Sequence, residues 1–410
     1  MTTITADIAV APRRSFQEVW VISLGHALTH WYPATFYLLL PLIGKELGLS
    51  YSEIGSVLTC QYLAGAIANI PGGIFVDTVG RKGLLMAASL FWIGFPYLMM
   101  GFSHTYWMIL ACATLVGIGN NLWHPSAIPW LANRFPQRKG LVMSIHGMGG
   151  NVGDAVAPLV VGALLGFMSW RNVVVINVLP GVLLAAFALL YLGRRQNGDP
   201  ASVSADAPPK ISAAERLRMF GVLLKNRALL TLAAGSAFRT MTQGALLTFL
   251  PLYLARQMGY PPLWIGACMF ALQAGGFVAA PIAGHLSDRV GRRQIILSSM
   301  AMSAVVIFFM LFAGGTGWFV MFVSVLGFFL FAVRAVLQAW LLDATPPGMG
   351  GSAIGLLFAS QAFGQAVGPV SAGIVADHYG LMGAFYFLAA TIVIANFLVF
   401  LTPAGLLKRD

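Results

Sequence analysis

Residues 73–85 read GIFVDTVGRKGLL, and residues 284–296 read GHLSDRVGRRQII. Both fit G-x-x-x-D-x-x-G-R-[KR]-x-x-hydrophobic, and they stand 211 residues apart in a chain of 410. Each follows an apolar stretch of about 20 residues, the span of a hydrocarbon core, and precedes another. The chain therefore reads as a duplicated membrane protein with a charged loop at the same place in each half. Parallel halves of this kind are one of the repeat architectures of secondary transporters.

Composition agrees: 58% of the residues are hydrophobic and 9% charged, unlike a soluble domain. Apolar runs predict helices at 18–43, 53–75, 83–103, 106–132, 140–168 and 172–193, then at 228–255, 263–286, 294–313, 317–343, 351–376 and 383–403. The expected fold is all-α, with 12 transmembrane helices in two pseudo-symmetric six-helix bundles. These occupy 1–193 and 228–410. The linker 194–227 contains NGDPASVSADAPPK, a composition typical of flexible chain.

The net charge of +11 is topological. With the N-terminus inside, the termini and even-numbered loops hold 19 of the 24 Lys and Arg, and the opposite side holds Lys45, Arg171 and Arg256. This positive-inside pattern places both termini in the cytoplasm of a multi-pass protein of the cell (inner) membrane. Lipid is the partner it implies, and nucleic acid is not. The first apolar run is a full span with two histidines, unlike a secretory signal. Cys60, Cys112 and Cys268 fall in separate spans and read as packing residues. No nucleophile–base pair or phosphate loop is recognisable, so no enzyme and no cofactor are expected.

The duplication extends further. Pro41 matches Pro251, Trp130 matches Trp340 and Pro136 matches Pro346 at an offset of 210, while Gly153 and Pro158 match Gly364 and Pro369 at 211. With the two loop motifs, these matches carry a resemblance to the major facilitator superfamily over residues 18–404. It implies two bundles rocking about a central site. In the N-terminal half, GHALTHWYPATFYLLLPLI, GIGNNLWHPSAIPWLA and GLVMSIHGMGGNVGDAVAPLVVG resemble the fosmidomycin-resistance branch of drug exporters. His30 and Ser126 stand where that branch tends to have acids, so its substrate does not transfer.

The loop acids Asp77 and Asp288 lie at helix ends, followed by Arg81, Lys82, Arg292 and Arg293. Paired charges are tolerable at a membrane boundary. They read as a latch between bundles, or more simply as helix-end anchors. Gly149, Gly150, Gly153 and Pro158 in helix 5, with Gly364, Gly368 and Pro369 in helix 11, read as close-packing positions. The helix 11 run GQAVGPVSAG resembles an exporter signature, as helix 5 does more loosely.

Polar side chains inside spans are candidate functional groups. His26 and His30, Asn120 and His124, Arg239 and Gln243, and Arg334 and Gln338 form i,i+4 pairs on helices 1, 4, 7 and 10. The family resemblance makes those four helices the cavity-lining set, and these eight residues the candidate substrate contacts. Two arginines in hydrocarbon need anions, water or helix carbonyls, so a carboxylate, phosphate or phosphonate cargo is one reading. Asp154 with His146 and the other span histidines could carry protons, or Asp154 could be a counter-ion or packing group. The leading expectation is a proton-coupled, alternating-access exporter (antiporter) of small organic molecules, acting as a monomer. Alternatives are an importer or exchanger of organic anions, a metal or metal-chelate transporter built on the i,i+4 histidines with His124 and His146, and a non-transporting receptor.

Overall fold

The computed structural model describes residues 16–196, 221, 223–314, 316–346 and 349–403. Most of the expected linker, 197–220, lies outside the described residues, as do 1–15 and 404–410. Twelve long helices account for nearly everything described. They are α1 (Gln17–Glu46), α2 (Tyr51–Val79), α3 (Lys82–Met100), α4 (Tyr106–Arg134), α5 (Lys139–Leu164) and α6 (Trp170–Gln196), then α7 (Arg227–Arg256), α8 (Pro262–Val290), α9 (Arg292–Phe312), α10 (Gly317–Asp343), α11 (Gly350–Tyr379) and α12 (Leu381–Phe400).

The duplicated motif explains two of the turns. Gly80 and Gly291 end α2 and α8 at φ of 67° and 106°, a backbone region that favours glycine, and the chain reverses into α3 and α9. At the other end of α2 a capping box closes the first turn. The Ser50 hydroxyl accepts from the Glu53 N–H while the Glu53 carboxylate accepts from the Ser50 N–H.

By length and composition, α3, α6 and α8 to α12 are apolar enough to cross a membrane, and α2 joins them as a bent span with a 47° break beside Pro71. The helices α1, α4, α5 and α7 fall below that threshold although they run 26 to 30 residues. They carry His26, His30, Asn120, His124, His146, Asp154 and Arg239, polar groups inside the helices that lower their hydropathy.

Packing repeats between halves. In the first, α1 packs on α5, α2 on α4, and α3 on both α4 and α6; in the second, α7 packs on α11, α8 on α10, and α9 on both α10 and α12. The halves meet along two seams, α2 against α11 and α5 against α8.

Each seam is tight at one end only. We call the side holding most of the Lys and Arg the basic side, and the other the far side. At the far side, Gly55 abuts the Pro369 carbonyl and Gly266 abuts the Pro158 carbonyl, so neither could carry a Cβ. Gly373 meets the Tyr51 carbonyl and Gly162 the Pro262 carbonyl in the same way. The Thr59 hydroxyl donates to the Ala366 carbonyl at 2.6 Å. The Asp377 carboxylate accepts from the Tyr51 and Ser52 N–H groups at 2.7 and 3.0 Å, capping α2 from the opposite bundle. Nearer the basic side, side chains added at Gly73, Gly147, Gly284 or Gly355 on the same four helices would meet nothing within 4 Å. The bundles are thus closed at the far side and spread at the basic side.

Candidate functional site

Between the bundles lies a cavity of about 300 Å³ lined from both halves. Its first-half wall comes from His30, Pro33 and Tyr37 on α1, Gln61, Tyr62 and Asn69 on α2, Asn120 on α4 and Asp154 on α5. Its second-half wall comes from Gln243 and Leu247 on α7, Gln273 on α8, Arg334 on α10 and Gln365 on α11.

Glycines make the first-half wall possible. Gly149 and Gly153 lie against the Ser23 and Ala27 carbonyls, drawing α5 onto α1. Gly150, between them, faces the rings of His26 and His30, and a Cβ there would lie 2.8 Å from His26 Cε1. The close approach brings His30 Nδ1 to 2.9 Å from Asp154 Oδ2. Both groups are about 30% exposed, and both line the cavity. An imidazole N–H at His30 can donate to the Asp154 carboxylate at the cavity wall.

Behind His30 stands a second layer. His26 donates from Nδ1 to the His146 carbonyl at 2.6 Å, because a carbonyl can only accept. Its Nε2 then faces His124 Nε2 at 3.0 Å, so in the neutral rings His124 is the donor. The His146 ring stacks on His26 with centroids 4.1 Å apart. His146 is buried, and neither of its ring nitrogens has a hydrogen-bond partner among the described residues. A buried polar group left unsatisfied costs about 1–3 kcal/mol. Four of the chain's seven histidines meet here.

The second half holds the fixed charge. Arg334 is exposed to the cavity and makes no ion pair among the described residues. Arg239 does not behave as the sequence reading expected. It is 1% exposed, with one guanidinium nitrogen donating to Gln243 Oε1 and to the Leu330 carbonyl, both at 3.2 Å, and it lies behind the cavity wall. Carbonyl and amide oxygens, not an acid, receive it. The histidines His26, His124 and His146 and the amide Gln338 are likewise absent from the lining, whereas His30, Asn120, Asp154, Gln243 and Arg334 are in it. Asp154 pairs with His30 and not with either arginine.

Sequence reasoning missed Tyr37, Tyr62, Gln61, Asn69, Gln273 and Gln365. Each is a polar side chain inside a span, which was the available signal. Five of the six lie on α2, α8 or α11, outside the four helices that the family resemblance marks as cavity-lining. The Tyr37 and Tyr62 hydroxyls hydrogen-bond to each other, and the buried Asn120 side-chain oxygen has no partner among the described residues.

The loop motifs differ between copies. Arg292 lies 4.0 Å from Asp288 and donates from Nε to Asp343 at 2.7 Å, and Arg293 donates to the Phe400 carbonyl at 2.8 Å, all within the second bundle. Asp77 and Arg81 are exposed and make no ion pair among the described residues.

A sequence model of the Major Facilitator Superfamily matches residues 22–278 and 264–409. The chain is 24% identical to the phosphoglycerate transporter protein of Salmonella typhimurium, covering 97% of this chain and 91% of that one. It is 25% identical to the fosmidomycin resistance protein of Escherichia coli, covering 89% and 88%. That likeness runs through both halves, further than the N-terminal motifs alone implied. Among solved structures, a bacterial homolog of the human lysosomal transporter Spinster in an inward-facing conformation superposes with a TM-score of 0.78, covering 96% of this chain and 97% of that one at 16% identity. The chain belongs to the Major Facilitator Superfamily and is a multi-pass membrane protein.

Proposed function

We propose that this facilitator is a proton-coupled carrier of small polar organic anions, working by alternating access. One observation carries the reading: Arg334, without an ion pair among the described residues, and the His30–Asp154 pair face the same cavity. The surrounding wall is mostly carboxamide and phenol, suited to a cargo rich in hydroxyl or carboxyl oxygens. A cavity of about 300 Å³ suits a metabolite-sized molecule better than a bulky apolar drug.

The electrostatics predict the sense of coupling. Adding a proton to the His30–Asp154 pair raises the cavity charge by one, which favours an anion beside Arg334. Proton and anion therefore load together and cross together. Export by antiport, the leading expectation from sequence, needs proton and cargo to compete, as a neutral or cationic cargo would compete for Asp154. The positive-inside charge distribution supports placing the basic side in the cytoplasm of a bacterial inner membrane, so the described conformation opens inward.

Membrane vesicles with an internal pH indicator test this. Small carboxylates and phosphate esters, matched neutral alcohols and organic cations are imposed as gradients. Anion gradients are expected to drag protons in their own direction. Proton flow opposite to a cation or neutral gradient would establish the exporter reading instead, and binding without flux would make the chain a receptor.

A further inference from the structure

We propose that His26, His124 and His146 form a binding site for a divalent transition-metal ion of the zinc class, inside the N-terminal bundle and behind the cargo cavity. Each of the three offers a ring nitrogen, and these atoms all lie within 4.8 Å of one another. They come from three different helices, α1, α4 and α5, so their meeting is a product of the fold and not of a local sequence pattern.

The donor geometry favours an ion. Metal-ligating histidines usually donate their second N–H to a carbonyl or carboxylate, which fixes the tautomer and the ring. His26 does this through Nδ1 to the His146 carbonyl, so its Nε2 lone pair can ligate an ion in place of the hydrogen bond it accepts from His124. That Nε2 stands 3.0 Å from His124 Nε2. Zinc–nitrogen bonds of about 2.0–2.1 Å at tetrahedral angles separate ligand nitrogens by roughly 3.3 Å, so this pair needs only a few tenths of an ångström.

His146 supplies the independent observation. It is 4% exposed, and both ring nitrogens lack a hydrogen-bond partner among the described residues. Its ring lies flat against His26, so rotation about its side-chain bonds turns a nitrogen toward the point His26 and His124 share. Three imidazoles without a thiolate or carboxylate suit Zn²⁺, Co²⁺, Ni²⁺ or Cu²⁺ and not Mg²⁺ or Ca²⁺. The carboxylate of Asp154, one imidazole removed through His30, supplies nearby negative charge.

The experiment uses the full chain in detergent, tag-free and stripped of metal, titrated with Co²⁺ and followed by visible absorption, with Zn²⁺ as competitor. One equivalent is expected, with the intense bands of low-coordinate Co²⁺, displaced by Zn²⁺. His124→Gln and His146→Gln should each weaken binding at least about tenfold. His378→Gln, an exposed far-side histidine, should leave it unchanged. Unchanged affinity in His124→Gln and His146→Gln, or no saturable Co²⁺ binding by the unsubstituted chain, overturns the site. X-ray absorption of the Zn²⁺-loaded chain needs no variant: a shell with at least two imidazoles supports the proposal, and fewer than two rejects it.

Discussion

Gly153 presses on the Ala27 carbonyl in the first half, and Gly364, 211 residues on, presses on the Ala237 carbonyl in the second. Gly117 against Gln61 is repeated as Gly327 against Leu272. On this shared frame the two halves place different chemistry. His26, His30, His146 and Asp154 correspond to Ser236, Thr240, Leu357 and Gln365, and His124 corresponds to Arg334. One half carries imidazoles and a carboxylate, and the other carries arginines among neutral amides. The duplication preserved backbone contacts that only glycine can make and left the side chains at equivalent depths free to diverge. In the proposed mechanism, proton handling and anion attraction fall on opposite walls of one cavity, and their coupling is electrostatic across it.

The sharpest way to break this division is Asp154→Asn, which removes the titrating carboxylate and keeps its shape. Accumulation driven by a pH gradient should be abolished in vesicles, while equilibrium binding of anionic cargo remains measurable. Its second-half counterpart should behave differently: Gln365→Asn lowers affinity yet leaves gradient-driven accumulation in place. Equal uncoupling by both would erase the distinction between halves.

A smaller effect is expected from the fixed charge. Arg334→Gln should weaken anion binding by about 1.5–3 kcal/mol, the worth of a hydrogen bond to a charged group, and leave matched neutral ligands nearly unaffected. Arg239→Gln should chiefly lower the unfolding temperature, since that guanidinium is held by Gln243 and the Leu330 carbonyl behind the wall. Isothermal titration and thermal unfolding on both variants separate the two arginines. If Arg239→Gln costs as much anion affinity as Arg334→Gln, the second half works as a two-cation site.

The smallest effect concerns the seam that joins the halves. Asp377→Asn weakens a cap on α2, and capping residues are worth about 0.5–2 kcal/mol. The far side should open more often, read as a longer spin-label distance between Lys45→Cys and Gln257→Cys. An unchanged distance distribution would leave the far-side closure to the glycine crossings and the Thr59 hydrogen bond.

Much of the fold was legible because apolar runs are interrupted by glycine, proline and charge at every turn. No helix boundary departs from expectation by more than four residues, and α10 agrees to the residue. Small residues on adjoining turns allow close packing, and Gly149, Gly153, Gly364 and Gly368 each lie against a carbonyl of a neighbouring helix, whereas Gly150 meets the rings of His26 and His30. The site was legible in part. Intramembrane polarity on helices 1, 4, 7 and 10 found His30, Asn120, Gln243 and Arg334, but i,i+4 spacing fixes a face and not a depth. Arg239 and Gln243 share a face, yet one lies behind the wall and the other in it. The meeting of His26, His124 and His146 depends on three helix rotations that one sequence does not encode locally. The contrast between the motif copies was hidden for a similar reason: it lies in a partner from another helix. Arg292 finds the carboxylate of Asp343 on α10, where the first half has the uncharged Asn133 at the equivalent place.

The four far-side glycine crossings constrain how the two conformations are balanced. At those carbons only hydrogen fits, so the closure there has no side chains through which its strength can be graded. In the proposed alternating-access cycle, the free-energy gap between inward- and outward-open populations is then set where side chains can vary, at the Thr59 hydrogen bond, the Asp377 cap and the two basic-side loops. A two-state equilibrium responds to a kilocalorie applied anywhere that distinguishes its states. Substitutions at 77–82 or 288–293, far from any cargo, would thus alter apparent affinity by changing how much of the protein is competent to bind.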